Sequence, residues 1–184
     1  RHLAVAQSLK RSKFKSRKIL DIGGEIKLTT NRLTYFLQGT EVVTANVIAD
    51  TSMQLQGVEL PIADDSYDAV VSIDTLEHIP KEDREKAIEE YLRVAKNEVI
   101  ICAPIGSPAQ HSSEERMNDK YKKLFGTDHH YLKEHLEYGD PTVDELKKYL
   151  KGKEYTIKFF AEIPVNEKHI RNSFSFFPNI KPLN

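Results

Sequence analysis

Residues Glu59 to Pro80 read ELPIADDSYDAVVSIDTLEHIP. The centre of this stretch, Tyr67 to Ile73 (YDAVVSI), is a β-branched apolar run, preceded by the polar turn ADDS and followed by Asp74 and Thr75. Continuous hydrophobicity, in place of alternation, predicts a strand covered on both faces, as in a parallel sheet. After it, Lys81 to Ala95 sets Ala87, Ile88, Tyr91, Leu92 and Ala95 on one stripe with charges elsewhere, the pattern of an amphipathic helix. Further out, Lys18 to Ile22 (KILDI), Glu41 to Val47 (EVVTANV) and Asn97 to Ala103 (NEVIICA) read as strands of the same kind, and Thr30 to Gln38 reads as helix. Alternating strand and helix is the signature of an α/β, doubly wound, mostly parallel sheet with helices on both faces. Val47 to Ser66 is short for a full helix, strand and linking turn, so the fold is expected to be trimmed there.

The chain has 184 residues, the size of one ordinary domain. Its 39% hydrophobic and 30% charged residues are those of a soluble globular protein, and no apolar run approaches the roughly 20 residues that span a bilayer. A formal charge of -1 supplies no global basic field, so a nucleic-acid partner is not favoured. The single cysteine, Cys102, falls in an apolar run and has no internal partner, which fits a reducing, cytoplasmic setting. Residues 1–17 are basic and read as a lead-in or surface helix, and 18–184 as the domain proper. The opening at Arg1, with neither methionine nor secretory pattern, leaves open the expectation that the sequence is a fragment.

After Pro104 the chain becomes polar and helical in spacing through about residues 105–140. Ligands of open α/β sheets bind outside the carboxyl ends of the strands, and this insert leaves from such an end, so it is expected to form a helical lid. A helix should begin at Thr142, capped by its hydroxyl with Glu145 reaching back, and Gly152 is suited to ending it. Tyr155 to Ile163 reads as a further strand, paired near Phe174 to Phe177.

Ile19 to Gly24, ILDIGG, is a strand ending in an acid and two glycines, a turn at which backbone can approach a ligand closely. Together with the Glu59 to Pro80 stretch it resembles the class I S-adenosylmethionine-dependent methyltransferases, particularly the type 11 group, which carry LPF-D-SFD-VV-LEH before a helix. The motifs cover Lys18 to Pro104. The resemblance implies a Rossmann-like sheet of seven strands, all parallel but one, with S-adenosylmethionine over the carboxyl ends of the first strands and S-adenosylhomocysteine as product. It implies that Asp21, Gly23 and Gly24 hold the methionine part of the cofactor, and that Asn46, in place of the usual acid, meets the ribose. Gln56 and Gly57 would lie near the adenine, and Asp74 where the methionine part opens toward the acceptor. Glu25 and Lys27 stand where further glycines are usual. These departures keep a second reading open, a catalytically degenerate binding or assembly module on the same fold.

A sulfonium methyl is already activated, so alignment and exclusion of water are the main tasks left to the protein. For a hydroxyl acceptor, His78 is the candidate base, with Glu77 beside it; the alternative is a His78 that caps or hydrogen-bonds locally. The expected acceptor is a small molecule or sugar-like compound, chosen by the lid. His129, His130 and His135 with Asp128 and Glu134 invite a metal reading, but His130 and His135 are five apart, off the spacing that places two ligands on one helical face, so no metal site is expected. Lys120, Lys122 and Lys123 read as a solvated face.

Overall fold

A computed structural model describes residues 1–24, 26–27, 30–47, 52–55 and 58–158. Helix α1 (His2–Arg11) leads into β1 (Lys18–Ile22), the middle strand of a five-stranded sheet. A two-stranded antiparallel hairpin, β2 (Ile26–Lys27) with β3 (Thr30–Asn31), follows. Then come β4 (Glu41–Asn46), β5 (Met53–Gln54), β6 (Tyr67–Ile73), α2 (Arg84–Val94) and β7 (Ala95–Cys102). The sheet order is β5-β4-β1-β6-β7 and every pairing in it is parallel. Helices α3 (Pro108–Phe125), α4 (His130–Tyr138) and α5 (Val143–Tyr149) complete the described chain.

Both faces of the sheet are covered, as continuous hydrophobicity predicts. Successive side chains of a strand point to opposite faces. Leu20, Ile22, Ala45 and Val70 pack with Ala87, Tyr91 and Val94 of α2, whereas Ile19, Ala69, Val71 and Ile73 pack with Val5, Ala6 and Leu9 of α1 and with Leu33 and Leu37. Helix α2 runs straight into β7, Ala95 being both its C-cap and the first strand residue, so β7 begins two residues before the expected Asn97.

Two expectations need correction. Thr30 to Gln38 is not an α-helix: after β3 there is one 3-10 turn, Arg32–Tyr35. Asn31 explains it. Its side-chain oxygen accepts from Leu33 N at 2.8 Å, while its amide donates to Asp21 Oδ2 at 2.7 Å and Thr44 Oγ1 at 2.8 Å, tying the chain to the sheet where a helix would lift it away. Tyr155 to Lys158 is irregular and not strand; the rest of that expected strand, and Phe174 to Phe177, lie outside the described residues. The sheet shows five strands among the described residues; of the seven the resemblance implied, any strand after Lys158 lies outside them. Trimming between β4 and β6 is seen in β5, only two residues long. The Thr142 and Glu145 capping box starts α5, and Gly152 lies past its end with φ +80°. No helix among the described residues is long and apolar enough to cross a membrane.

Candidate active site

From β1 the chain builds β4 and β5 on one side and then crosses to β6 and β7 on the other. The carboxyl ends of β1 and β6 therefore flank the switch point, where open α/β sheets form their ligand crevice.

On the β1 side, Gly23 adopts φ +76° and its N–H donates to Ala45 O at 2.7 Å. A Cβ at Gly23 would overlap the Thr75 side chain, and one at Gly24 would overlap Asp21 Oδ2, so the protein's own packing already demands both glycines. Asn46 Nδ2 donates to the carbonyls of Gly23 and Gly24, both at 3.0 Å, and its Oδ1 accepts from Val47 N at 2.7 Å. Its amide thus clamps the turn. Asp21 is 2% exposed; burial pushes its carboxyl up to about 6 against the opposing hydrogen bond from Asn31. Its Oδ1 is buried with no hydrogen-bond partner among the described residues.

On the β6 side, Asp74 takes φ +53°, a strained conformation for a non-glycine residue and one that clusters at functional sites. Its half-exposed carboxylate pairs with Arg1. Thr75 Oγ1 donates between Ile22 O at 3.1 Å and Ile73 O at 3.2 Å, stitching the two strand ends together. The next residues form a 3-10 turn, Leu76–His78, with Leu76 and Glu77 buried and His78 partly exposed.

Helix α4 packs on this turn. Its His135 brings Nε2 to 3.4 Å from His78 Nε2. Each imidazole is held from behind: His78 Nδ1 lies 2.8 Å from Glu134 Oε2, and His135 Nδ1 lies 2.9 Å from Glu114 Oε1 of α3. Asp140 Oδ1 is 3.9 Å from the same His135 nitrogen. Burial, then the neighbouring His135, lowers the His78 pKa despite Glu134. Burial opposes charge on His135 too, but the hydrogen bond and charge of Glu114, with Glu77 and Asp140, outweigh it and raise that pKa. Glu77 is pushed up to about 7, mainly by burial, with Asp74 and Asp140 adding to the shift.

Arg84 fastens the assembly. This fully buried residue of α2 donates Nε to Leu76 O at 3.1 Å and Ile79 O at 3.0 Å, and Nη2 to Tyr138 O at 3.3 Å and to Gly139 O. One guanidinium thus satisfies carbonyls of the 3-10 turn and the last carbonyls of α4, which no helix can satisfy internally. At the other end of α4, Asn118 Oδ1 accepts from His129 N at 2.8 Å and its amide donates to Asp128 at 2.9 Å. Lys122 also pairs with Asp128.

Asp21, Gly23, Gly24 and Asn46 therefore meet at one side of the crevice, with Asp74 and His78 following the strand that forms the other. Gln56, Gly57 and Glu25 lie outside the described residues. Sequence reasoning missed the partnership of His78 with His135, Glu114 and Glu134, and the strap made by Arg84. The i, i+4 spacing of His130 and Glu134 signalled their own pair, 3.3 Å apart, but no local spacing pointed to His78.

Residues 33–103 match the protein family described as the methyltransferase domain. No curated protein matches the sequence. The fold is similar to a Bacillus halodurans C-125 protein provisionally assigned as a methyltransferase, with TM-score 0.54 and 14% identity over 97% of this chain and 84% of that one. It is similar to a SAM-dependent methyltransferase of Archaeoglobus fulgidus, with TM-score 0.52 and 16% identity over 96% and 86%. A phosphoethanolamine N-methyltransferase of Haemonchus contortus, solved with S-adenosylhomocysteine, gives TM-score 0.54 and 18% identity over 82% of this chain but only 35% of that one.

Proposed function

We propose that this chain, which has the class I methyltransferase fold and carries the methyltransferase domain match within it, transfers a methyl group from S-adenosylmethionine to a small-molecule or sugar-like acceptor. The observation that carries the reading is Asp21. An acid buried at the head of the central strand, with one oxygen lacking a partner, costs stability, and such a cost is characteristic of a functional site. A cationic ammonium beside the Gly23 and Gly24 turn would offset it, directly or through a water.

When bound, the cofactor supplies a methyl carbon already activated on sulfonium sulfur. The residues of this chain then have three tasks. The turn at Gly23 and Gly24, clamped by Asn46, presents backbone to the cofactor. Asp74 borders the crevice from the β6 side. His78, held neutral by burial and by His135, is placed to take a proton from an acceptor hydroxyl, with Glu134 orienting its ring. Helices α3 and α4 would act as the lid that selects the acceptor.

Calorimetric titration of the purified protein with S-adenosylmethionine and S-adenosylhomocysteine tests this. Micromolar binding, lost in Asp21→Ala, is expected. Absence of binding to well-folded protein would instead favour a binding or assembly module. Two observations favour that second reading: the Asn46 amide is already engaged by loop carbonyls, and a hairpin stands where a helix would aim its positive end at the cofactor.

A further inference from the structure

The facing imidazoles of His78 and His135 pose a problem of hydrogen-bond supply. A carboxylate only accepts, so Glu134 and Glu114 each require a proton on the Nδ1 they face. A neutral imidazole carries one proton, and once Nδ1 holds it, Nε2 is a bare acceptor. With both rings neutral, two such acceptors point at each other across 3.4 Å, and the pair is completed either by a second proton on one Nε2 or by a shared cation.

The third wall has the same character. Glu77 is 1% exposed, and its Oε2 is buried with no hydrogen-bond partner among the described residues. A carboxylate oxygen of Glu77 and a ring nitrogen of each histidine lie within 4.8 Å of one another. Two nitrogens on a tetrahedral ion with metal–nitrogen bonds of about 2.0–2.1 Å stand roughly 3.3–3.4 Å apart, which is the separation seen here. Carboxylates behind the histidines, fixing tautomer and ring orientation, are the usual outer shell of such ligands.

We propose that His78 Nε2, His135 Nε2 and the Glu77 carboxylate bind a first-row divalent transition-metal ion of the zinc type, leaving a fourth position for solvent or substrate. Two imidazoles and one carboxylate form a set that suits zinc, cobalt or iron and not the all-oxygen preference of calcium. The site joins three elements, the turn after β6, helix α4 and, through Glu114, helix α3. A bound ion would therefore hold the helical pair against the sheet. If the methyl-transfer reading holds, the fourth position is where an acceptor oxygen would be held, the ion then promoting loss of its proton in place of His78, whose two ring nitrogens would be occupied by the metal and Glu134; metal binding itself does not depend on that reading.

The test uses the full chain, stripped with EDTA and free of cofactor and acceptor, so its result is separate from that of the S-adenosylmethionine titration. Co2+ is titrated while visible absorbance is followed, with Zn2+ as competitor and thermal unfolding as a second readout. One equivalent of Co2+ giving a tetrahedral-type spectrum, displaced by Zn2+ and accompanied by a rise in Tm, is expected. His78→Gln and His135→Gln should abolish the spectrum. Glu134→Gln, which removes the carboxylate behind His78 and keeps both ligand rings, should weaken binding by about 10–100-fold and leave the spectrum's shape. His111→Ala, at an exposed histidine of α3 that pairs with Glu115, should change nothing. Should either ligand variant fail to fold, the wild-type spectrum with Glu134→Gln decides. A folded wild type that shows no saturable binding, as a proton-bridged histidine pair would, overturns the proposal. So does affinity that survives His78→Gln.

Discussion

The carboxyl ends of β1 and β6 lie side by side, yet they treat their polar atoms in opposite ways. Around β1 the chain largely answers itself: Asn46 serves the carbonyls of Gly23 and Gly24, and Asn31 serves Asp21 and Thr44. Around the turn after β6, the histidines serve Glu134 and Glu114 and Arg84 serves backbone carbonyls of the turn and of α4, but the buried Glu77 Oε2 has no hydrogen-bond partner among the described residues. The first region is closed on its own hydrogen bonds and packing; in the second, a buried carboxylate oxygen of Glu77 is left over beside the facing histidines, which is what the proposed cation would answer.

The largest expected effect comes from breaking what holds the second region. Arg84→Met leaves buried carbonyls without donors, and urea denaturation should show a loss on the order of 3–5 kcal/mol. Arg84→Lys should recover only part, because an ammonium cannot reproduce the planar fork. The first region is tested by Gly23→Ala, which combines positive φ with overlap of Thr75 and should cost about 2–4 kcal/mol. Pairing it with Thr75→Ala should return part of that loss, and a double-mutant cycle measures how much.

The smallest effect sharpens the comparison at its one exception, Asp21. Its carboxyl sits at about 6 in the folded protein against an ordinary 3.8, so between those values the folded state holds a proton that the unfolded chain has released. Stability must then fall as pH rises through this window, by on the order of 2–3 kcal/mol, and stay low above it. Asp21→Asn, which keeps an acceptor for Asn31, should raise Tm at pH 8 and leave it nearly unchanged at pH 4. The same substitution should weaken S-adenosylhomocysteine binding. A Tm gain equal at both pH values would mean that Asp21 is not the group responsible.

Strands β1 and β6 could be read to the residue because each is a mainly apolar, buried run framed by polar turns. The expected helix at Thr30 to Gln38 failed because its spacing says nothing of Asn31, whose side chain is committed to two strands distant in sequence. The same limit explains the candidate site. Testing His130 against His135 asks only whether one helix presents both, whereas His135 meets a histidine 57 residues away through the packing of α4 on the turn after β6. The acid and glycines after β1 were legible since a strand-to-turn junction is local. Arg84 was not, because nothing in the sequence distinguishes a buried arginine in a charged helix start from an exposed one.

That arginine also sets how the molecule opens. Arg84 belongs to α2, whose neighbouring side chains fill the core, but its donors end on Tyr138 and Gly139. The last turn of a short helix ordinarily frays first and exchanges its amide hydrogens fastest. Here that turn is fastened to a helix packed into the core, so its exchange should slow toward the rate of global unfolding, making a helix end part of the innermost cooperative unit.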